Sequence, residues 1–511
     1  MLKRLLSSGY FPEGLTPIFD TSSMATFFTS ATRFPQAFTQ AKPIETRPCS
    51  HNLARSGGLR RRLTLTNPVS FFRLATVFDN NLAELRAAWS ASTYSLTKPS
   101  TSKKNIRALG PKKSQRALEN AQRRIGKRFL TKTDVSEFYS SIYTHSIPWA
   151  LHGKQYAKEH KHDADLLGNK LDLEVRSGQD GQTKGIPIGS DTSLALAEIV
   201  MGCVDKQLHA SFPKLMGVRY IDDMYFLTDT QAAAEDLLLC LEDELSKFEL
   251  QLNQKKTSIE RMPQTLDHGF LSELRARMPE RNTKSNLAWA DYFDGAFALA
   301  KSHPYDNVLR YAVSLASNVA ASARTWAVVQ HLFWQTVAID PGTIRFVLPA
   351  LLRNRAKGRR LDVQIAGDAL NSLIQSSAPY GHSSEVAWAL WAFAVLELKP
   401  EADTWAAVLG MSDDIVAISA HATNQLGGWK LDVASDVWES WLEPGCFQEE
   451  HWLYAYEACR NTWCAKSKRK TLFAGEQGAP AKFLYANGVS FIDWNAPSDF
   501  ATAKAQRSFG Y

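Results

Sequence analysis

The chain has 511 residues, of which 44% are hydrophobic and 22% are charged. This balance excludes a largely disordered protein, and at roughly 100–200 residues per domain the length suggests two to four packed units. The formal net charge of +7 is compatible with nucleic-acid binding but does not by itself indicate it. The sequence has no apolar run of about 20 residues, so we expect a cytoplasmic protein without a membrane span.

The N-terminal quarter combines irregular and basic stretches. Residues 1–50 are rich in Phe, Thr, Ser and Pro, which predicts an irregular arm with short helices. Leu63 and Leu65 then alternate with threonines, which predicts a short strand that stops at Asn67-Pro68. Residues 98–128 carry many lysines and arginines. We expect this stretch to contact phosphates, with a solvated helix as the alternative.

Acidic residues mark the ends of two predicted strand segments. In residues 219–227, two β-prone runs flank Asp222-Asp223, which predicts a hairpin with adjacent carboxylates at its turn. Because Asp is a common turn residue, the pair alone leaves a purely structural interpretation open. Residues 128–133 read as a strand that ends in Asp134, a residue that could also cap the following helix.

If Asp134 lies beside Asp222 and Asp223 in one sheet, three carboxylates meet. Like charges so close together repel and need a cation, and oxygen ligands without His or Cys favour Mg²⁺ or Mn²⁺. Two such ions can activate a 3′-hydroxyl, bind a triphosphate and stabilise the leaving pyrophosphate. The three acids therefore predict a two-metal site for nucleotidyl transfer.

Two further segments offer substrate contacts. Residues 181–193 form a glycine-rich stretch that opens a helix to about Asp205. Glycines there would let the backbone approach a base pair closely, although an ordinary capped loop is the alternative. After the hairpin we expect a helix over residues 232–248 and then Lys256, which could protonate pyrophosphate or simply be a solvated lysine.

Helical spacing dominates after about residue 285. One predicted helical face contains Val308, Tyr311, Ala312, Leu315, Ala316 and Val319. Breaks that carry Pro or Gly divide the region into helical pieces, which predicts stacked helices resembling a solenoid. After residue 465 the sequence begins with a basic cluster and then looks loop-like.

The order and spacing of these segments resemble reverse transcriptases over roughly residues 55–265. TDVSEFYSSI at 133–142, GIPIGSDTS at 185–193, RYIDDMYFL at 219–227 and LNQKKTSI at 252–259 are similar to motifs A, B, C and D. Residues 60–75 look like the fingers segment that precedes them. The chain departs from the family at Lys184-Gly185, where Gln-Gly is usual, and at Gly189-Ser190, where Ser-Pro is common.

The resemblance implies an α+β fold in which right-hand fingers and palm precede an all-α, helical-repeat-like C-terminal domain. The expected units are an N-terminal arm and fingers at 1–128, a palm at 129–280, the helical domain at 285–465 and a tail at 466–511. It also implies that two Mg²⁺ ions, or Mn²⁺ in their place, are held by Asp134, Asp222 and Asp223 with help from the Val135 carbonyl.

The resemblance further implies contacts with the incoming nucleotide. Tyr139 falls where the family places an aromatic steric gate against a ribose 2′-hydroxyl, and Lys256 would be the motif D lysine. Lys184 and Gly185 are the expected contacts from motif B. From the basic fingers strand, the candidates for triphosphate contact are Arg60, Arg61 and Arg62.

A narrower resemblance is to bacterial abortive-infection and "unknown group" reverse transcriptases, which act against phages. It rests on YTHSIPWALHGK at 143–154, on HSSEVAWALW at 382–391 and on residues 9–13. It implies an RNA-directed DNA polymerase that uses dNTPs, makes DNA and serves antiphage defence. In relatives, synthesis proceeds without a conventional template, starts from a protein hydroxyl or copies a small associated RNA, and the sequence does not choose between these modes. A homo-oligomer or an RNA-bound complex is compatible with it.

Two other functions fit parts of the pattern. A retroelement-type reverse transcriptase would carry a thumb and a nucleic-acid-binding finger, and the helical, Trp-rich C-terminal region argues against it. A repurposed polymerase fold, serving as a nucleic-acid-binding or regulatory subunit, would have no reason to keep three carboxylates whose repulsion destabilises the fold. An enzyme is the interpretation that the sequence favours.

Overall fold

The computed structural model describes residues 1–103, 107–109, 121–266, 269–319 and 321–501. In this part of the chain the strands form a two-stranded hairpin and a four-stranded sheet. The strands are β1 (Cys49–Ala54), β2 (Arg60–Leu65), β3 (Phe129–Thr133), β4 (Met216–Tyr220), β5 (Asp223–Thr228) and β6 (Ser258–Arg261).

Both sheets are antiparallel. The β1–β2 hairpin pairs Cys49 with Leu65 and Ala54 with Arg60. In the larger sheet the strand order is β4-β5-β3-β6, so that the acid-bearing strand β3 lies beside the acid-bearing hairpin β4–β5. Short strands and tight turns therefore bring segments about 90 residues apart in the chain to one sheet edge.

The first half also contains helices, of which Gln231–Ser246 packs against β3 and β5. They are α1 (Leu2–Leu6), α2 (Ser22–Ser30), α3 (Gln36–Thr39), α4 (Pro68–Asn80), α5 (Leu82–Ser90), α6 (Phe138–Ser141), α7 (Ser146–His152), α8 (Lys154–Glu159), α9 (Leu167–Ser177), α10 (Asp191–Ser211), α11 (Gln231–Ser246) and α12 (Gly269–Ala276). The expected irregular arm with short helices is α1–α3 and their connections.

Local signals explain several helix starts. Asn67 caps α4 by accepting a hydrogen bond from the Val69 amide at 3.0 Å, and Pro68 occupies the first turn, where its missing amide costs nothing. Thr230 caps α11 in the same way. Helix α10 runs to Ser211 and so extends beyond the expected end near Asp205, because apolar residues continue on its buried side.

The second half is helical, as predicted. Its helices are α13 (Asn286–Ser302), α14 (Val308–Asn318), α15 (Trp326–Ile339), α16 (Ile344–Ala356), α17 (Val363–Ser377), α18 (Ser383–Leu396), α19 (Ala402–Leu409), α20 (Asp414–Leu426), α21 (Asp436–Ser440), α22 (Trp452–Arg460), α23 (Lys466–Leu472), α24 (Gly475–Ala486) and α25 (Ala496–Ala501). From α13 to α18, each helix packs against the helix two positions further along the chain. This stacking is what a helical-repeat-like region requires.

The C-terminal stretch is helical rather than loop-like, which corrects the sequence-based expectation. Helices α23, α24 and α25 lie within residues 466–501. The apolar residues Leu484, Val489 and Phe491 are buried there and supply the packing that a loop would lack. Phe19 pairs with Ile492, so this stretch joins the N-terminal arm. None of the helices in the described ranges is both long and apolar enough to cross a bilayer.

The β1–β2 hairpin is attached to the helical region along its length. Arg60 on β2 forms a two-pronged ion pair with the buried Glu385 on α18, with Nη2 2.9 Å from Oε2. The Ala54 amide donates to the Ser384 hydroxyl at 2.9 Å. Further ties are His51–Asp413, Asn52–Gly381 and Arg310–Ala54. The hairpin is therefore fixed to helices more than 250 residues away in sequence.

Part of the basic stretch at 98–128 is structural. Arg107 lies 2.7 Å from Asp191 and also donates to the Phe11 carbonyl, which ties the arm to the start of α10. Lys127 pairs with Asp229 at 3.1 Å. Residues 104–106 and 110–120 of the stretch lie outside the described residues. The expected phosphate contact stays a prediction, and Arg107 is not available for it.

Candidate active site

The structure brings the predicted acids to one sheet edge. Thr133, the last residue of β3, pairs with Met224 on β5, so the next residues, Asp134 and Asp223, face each other where the ladder ends. On the other side of β5, Tyr220 pairs with Asp223, leaving Ile221 and Asp222 as a two-residue turn. The hairpin geometry thus presents both adjacent carboxylates beside Asp134.

Asp134 is almost fully buried, at 2% relative exposure. Its Oδ2 atom contacts the ammonium of Lys256, which is largely exposed. Its Oδ1 atom is buried and has no hydrogen-bond partner among the described residues. A buried polar atom left without a partner costs about 1–3 kcal/mol. A cation ligated by this oxygen would remove that cost.

The three acids interact electrostatically. Burial first, and then the charge of Asp223, raise the pKa of Asp222 to about 6, with a smaller contribution from Asp134. The Lys256 ammonium acts in the opposite direction. One ammonium therefore does not neutralise the cluster, and a further positive charge would stabilise it.

These residues suit a hard divalent cation. Within the described residues, no three Asp, Glu, His or Cys side chains already enclose a metal position. A cation must therefore draw the carboxylates of Asp134, Asp222 and Asp223 together and share Asp134 with Lys256. The donors are all oxygen, which fits Mg²⁺ or Mn²⁺. Val135, the proposed carbonyl ligand, is buried beside Asp134 and bridges to Leu252.

Tyr139 lies beside the acids and against the glycine-rich loop. Burial, and next the charge of Asp222, raise the pKa of the Tyr139 phenol, so the ring stays neutral. Its carbonyl accepts a hydrogen bond from the Ile186 amide at 2.9 Å. Gly185 has φ of +86°, and a Cβ atom there would lie 3.3 Å from the Ser140 carbonyl oxygen. Glycine is therefore required for this close approach.

Residues 68–285 match the family described as "Reverse transcriptase (RNA-dependent DNA polymerase)". The chain contains a reverse transcriptase domain. Eight of the predicted site residues lie inside the matched range: Asp134, Val135, Tyr139, Lys184, Gly185, Asp222, Asp223 and Lys256. The family implies RNA-directed DNA polymerase activity, a divalent metal and binding of nucleic acid. The reverse transcriptase domain is followed by the helical region described above.

Other comparisons give looser likenesses. No curated protein matches the sequence significantly. An apo telomerase from Candida tropicalis aligns with 12% identity and a TM-score of 0.34, over 64% of this chain and 68% of that chain. A form of that telomerase truncated at its C-terminal domain aligns with 15% identity and a TM-score of 0.29, over 43% of this chain and 51% of that chain. A telomerase from Candida albicans, solved with a fragment of telomeric RNA, aligns with 12% identity and a TM-score of 0.29, over 63% of each chain. The chain thus spans about half to two thirds of these telomerase chains.

Two of the predicted phosphate contacts, Arg60 and Arg62, have protein partners in the structure. Arg60 is engaged by Glu385 and Asn52, since its strand position points it at the helical region. Arg62 is exposed on the same face of β2, and its Nε donates to the Ser50 hydroxyl at 2.9 Å. Lys184 is exposed, with its backbone bridged to Tyr143.

Two other arginines are close enough to the acids to interact with them. The charge of Arg61 lowers the pKa of Tyr139, opposing the larger effects of burial and Asp222. Burial and the neighbouring Arg61 lower the pKa of Arg55, while Asp222 and Asp223 raise it. The period-2 alternation of β2 could have singled out Arg61, which shares a face with the buried Leu63. Nothing in the sequence marked Arg55, which follows β1 at the hairpin turn.

Proposed function

We propose that the reverse transcriptase domain is an active DNA polymerase that joins dNTPs by metal-dependent nucleotidyl transfer. The observation that carries this proposal is the opposition of Asp134 and Asp223, with a buried carboxylate oxygen of Asp134 that finds no partner in the described part of the chain. A structural role would favour a neutral or fully paired cluster, because uncompensated buried charge is destabilising. A divalent cation supplies the missing compensation.

In this account, each side chain has a defined task. Bound Mg²⁺ or Mn²⁺ would supply activation of a 3′-hydroxyl and neutralisation of the triphosphate. Asp134, Asp222 and Asp223 hold the cations. Lys256, already in contact with Asp134, is placed to protonate or neutralise the departing pyrophosphate. Tyr139 presents its ring as a gate against a ribose 2′-hydroxyl.

The β1–β2 hairpin would add positive charge at the site. Arg55 and Arg61 would receive the triphosphate, because both lie within electrostatic range of the catalytic carboxylates or of Tyr139. Arginine suits this task, since its planar guanidinium can bind phosphate through two hydrogen bonds. The attachment of β1 and β2 to the helical region would hold these two arginines in place before the nucleotide arrives.

We further propose that this DNA synthesis serves antiphage defence. The support is the resemblance of residues 143–154 and 382–391 to bacterial abortive-infection reverse transcriptases, together with the helical C-terminal region. Infection of bacteria that express the wild-type chain or Asp222→Asn/Asp223→Asn tests this role. We expect fewer plaques only with the wild type. Equal plaque numbers with both chains, at equal protein levels, would contradict it.

The template and primer are tested by the product itself. Purified protein is incubated with Mg²⁺ and labelled dNTPs, singly and together, without added template, and the product is treated with DNase, RNase or protease. DNA that protease releases from the protein would support priming from a protein hydroxyl. Synthesis that appears only with an added or co-purified RNA would support copying of an associated RNA. A retroelement-type enzyme would instead extend an added primer on any RNA template.

A further inference from the structure

The catalytic turn has a strained residue at its centre. Ile221, which precedes Asp222, has φ of +59°. This left-handed conformation is a genuine outlier for a β-branched residue and costs roughly 1–3 kcal/mol. Such a residue persists only when its surroundings hold it there. The position of Asp222 therefore depends on whatever holds Ile221.

Both backbone polar groups of Ile221 are held from outside the turn. The amide donates to the hydroxyl of Thr97 at 2.9 Å. The carbonyl accepts from Nη1 of Arg219 at 2.6 Å. Thr97 lies on a segment that runs beside β4, where Leu96 donates to the Arg219 carbonyl and the Arg219 amide donates to the Tyr94 carbonyl.

The two holding side chains are themselves fixed by one carboxylate. Thr97 donates its hydroxyl proton to Oε1 of Glu198 at 2.7 Å, which leaves the hydroxyl oxygen to accept from Ile221. Both terminal nitrogens of Arg219 lie 3.0 Å from the two oxygens of Glu198. Glu198 thus sets the relative positions of Arg219, which donates to the Ile221 carbonyl, and Thr97, which accepts from the Ile221 amide.

The same arginine is anchored a second time, away from the turn. Arg219 also donates to Asp205, with Nη2 2.7 Å from Oδ2, and the hydroxyl of Ser92 donates to the same carboxylate. Glu198 and Asp205 are seven residues apart on α10 and so lie on one face of that helix. This cluster therefore has one end at the catalytic turn and another end remote from it.

Stability alone is a weak explanation for this cluster. Arg219 and Thr97 are 0% exposed and Glu198 and Asp205 are 1% exposed. Burial acts to lower the pKa of Arg219, but Asp205 and Glu198 outweigh it and raise that pKa, so the guanidinium stays charged. A buried ion set of this kind is often no more stable than apolar residues of the same volume. It does, however, specify one geometry.

We infer that Thr97, Glu198 and Arg219 are positioning residues that hold Ile221 so that Asp222 can share a cation with Asp134 and Asp223. The inference rests on the proposed metal-dependent nucleotidyl transfer. Without the Thr97 hydroxyl, the Ile221 amide loses its acceptor and the strained conformation loses one of its two restraints. Asp222 would then populate positions from which it does not ligate the cation.

The test compares three substitutions in the full-length protein. Thr97→Val removes the hydroxyl at nearly constant volume, and Thr97→Ser keeps it. Ser92→Ala removes a buried hydroxyl from the far end of the same cluster without touching the turn. The measurements are thermal unfolding, Mn²⁺ affinity by electron paramagnetic resonance, and kcat and KM for dNTP incorporation.

We expect Thr97→Val to weaken Mn²⁺ binding and to lower kcat by roughly tenfold or more, with KM for dNTP changed less than about twofold. Thr97→Ser should behave as the wild type. Ser92→Ala should lose as much thermal stability as Thr97→Val and yet keep both Mn²⁺ affinity and kcat. If Thr97→Val does not fold, Thr97→Ala, which leaves room for a water molecule, replaces it.

Equal Mn²⁺ affinity and kcat in Thr97→Val and Ser92→Ala would overturn the positioning role. A wild-type protein that binds Mn²⁺ but makes no DNA would contradict the proposed function, while the Mn²⁺ comparison would still decide the role of Thr97. A wild-type protein that binds no Mn²⁺ would overturn both.

Discussion

Asp134 and Asp223 face each other one position beyond Thr133–Met224, the last pair of the β3–β5 ladder. Asp222, next in the turn, lies in the field of both. Such a cluster stabilises a bound cation at the expense of the metal-free protein.

Asp222→Asn should stabilise the metal-free protein. The pKa of Asp222 is raised from 3.8 to about 6, so between these values the native state binds more protons than the unfolded state, and stability falls as the pH rises. Well above pH 6 the full penalty is present, on the order of 3 kcal/mol for this change in pKa. Thermal unfolding in EDTA at pH 8 should therefore show a higher midpoint temperature for Asp222→Asn than for the wild type.

The matched control for that experiment is Asp229→Asn, at the surface beyond β5, where Asp229 pairs with Lys127. It should give no gain in stability. A lower midpoint for Asp222→Asn than for the wild type in EDTA would show that the carboxylate is not repelled in the folded state.

Cation affinity should depend on pH in the range set by Asp222. Ligation needs the ionised carboxylate, and a pKa of about 6 leaves most of it protonated at pH 5. Mn²⁺ should bind about tenfold more tightly at pH 7 than at pH 5, as titration followed by electron paramagnetic resonance would measure. In Asp222→Asn this dependence should flatten, whereas an unchanged slope would assign it to another group.

Tyr139→Ala should loosen the exclusion of ribonucleotides. Removing the ring opens space for a ribose 2′-hydroxyl, and the ratio of kcat/KM for dNTP over NTP should fall by on the order of tenfold or more. Tyr139→Phe keeps the ring and should keep the ratio, since the phenol oxygen has no part in the steric argument. Unchanged selectivity in Tyr139→Ala would refute the gate.

Arg61→Ala should raise KM for dNTP by roughly tenfold, the effect of losing about 1.4 kcal/mol of binding. Arg62→Ala is the matched control, because Arg62 is the next residue on the same strand and lies on the opposite face, where its Nε donates to the Ser50 hydroxyl. Steady-state kinetics at saturating Mg²⁺ would make the comparison. Equal KM values for the two variants would remove Arg61 from the nucleotide site.

Local signals made much of the reverse transcriptase domain predictable. The alternation at Leu63 and Leu65 predicted the strand, and Asn67-Pro68 predicted the start of the next helix. Asp222 sits in the expected hairpin turn, and Asp223 begins the strand that follows it. Each signal acts over a few residues, so the sequence pattern is sufficient to find it. The stacked helices were predictable for the same reason.

Long-range partners were not predictable in this way. Arg60 looked like a phosphate ligand, yet its partner Glu385 lies 325 residues away and only the packing of α18 against β1 brings the two together. The helices after residue 465 were missed because their apolar residues pack on the N-terminal arm. Thr97 had no local signal at all, since its role comes from a segment that borders β4.

The most direct test is incorporation of labelled dNTPs by the purified wild type and by Asp222→Asn/Asp223→Asn, with Mg²⁺, in the presence and absence of RNA, after circular dichroism has shown that both are folded. We expect DNA synthesis by the wild type and none by the double variant. Synthesis by the double variant at the wild-type rate would contradict the assignment of these carboxylates to the metal site.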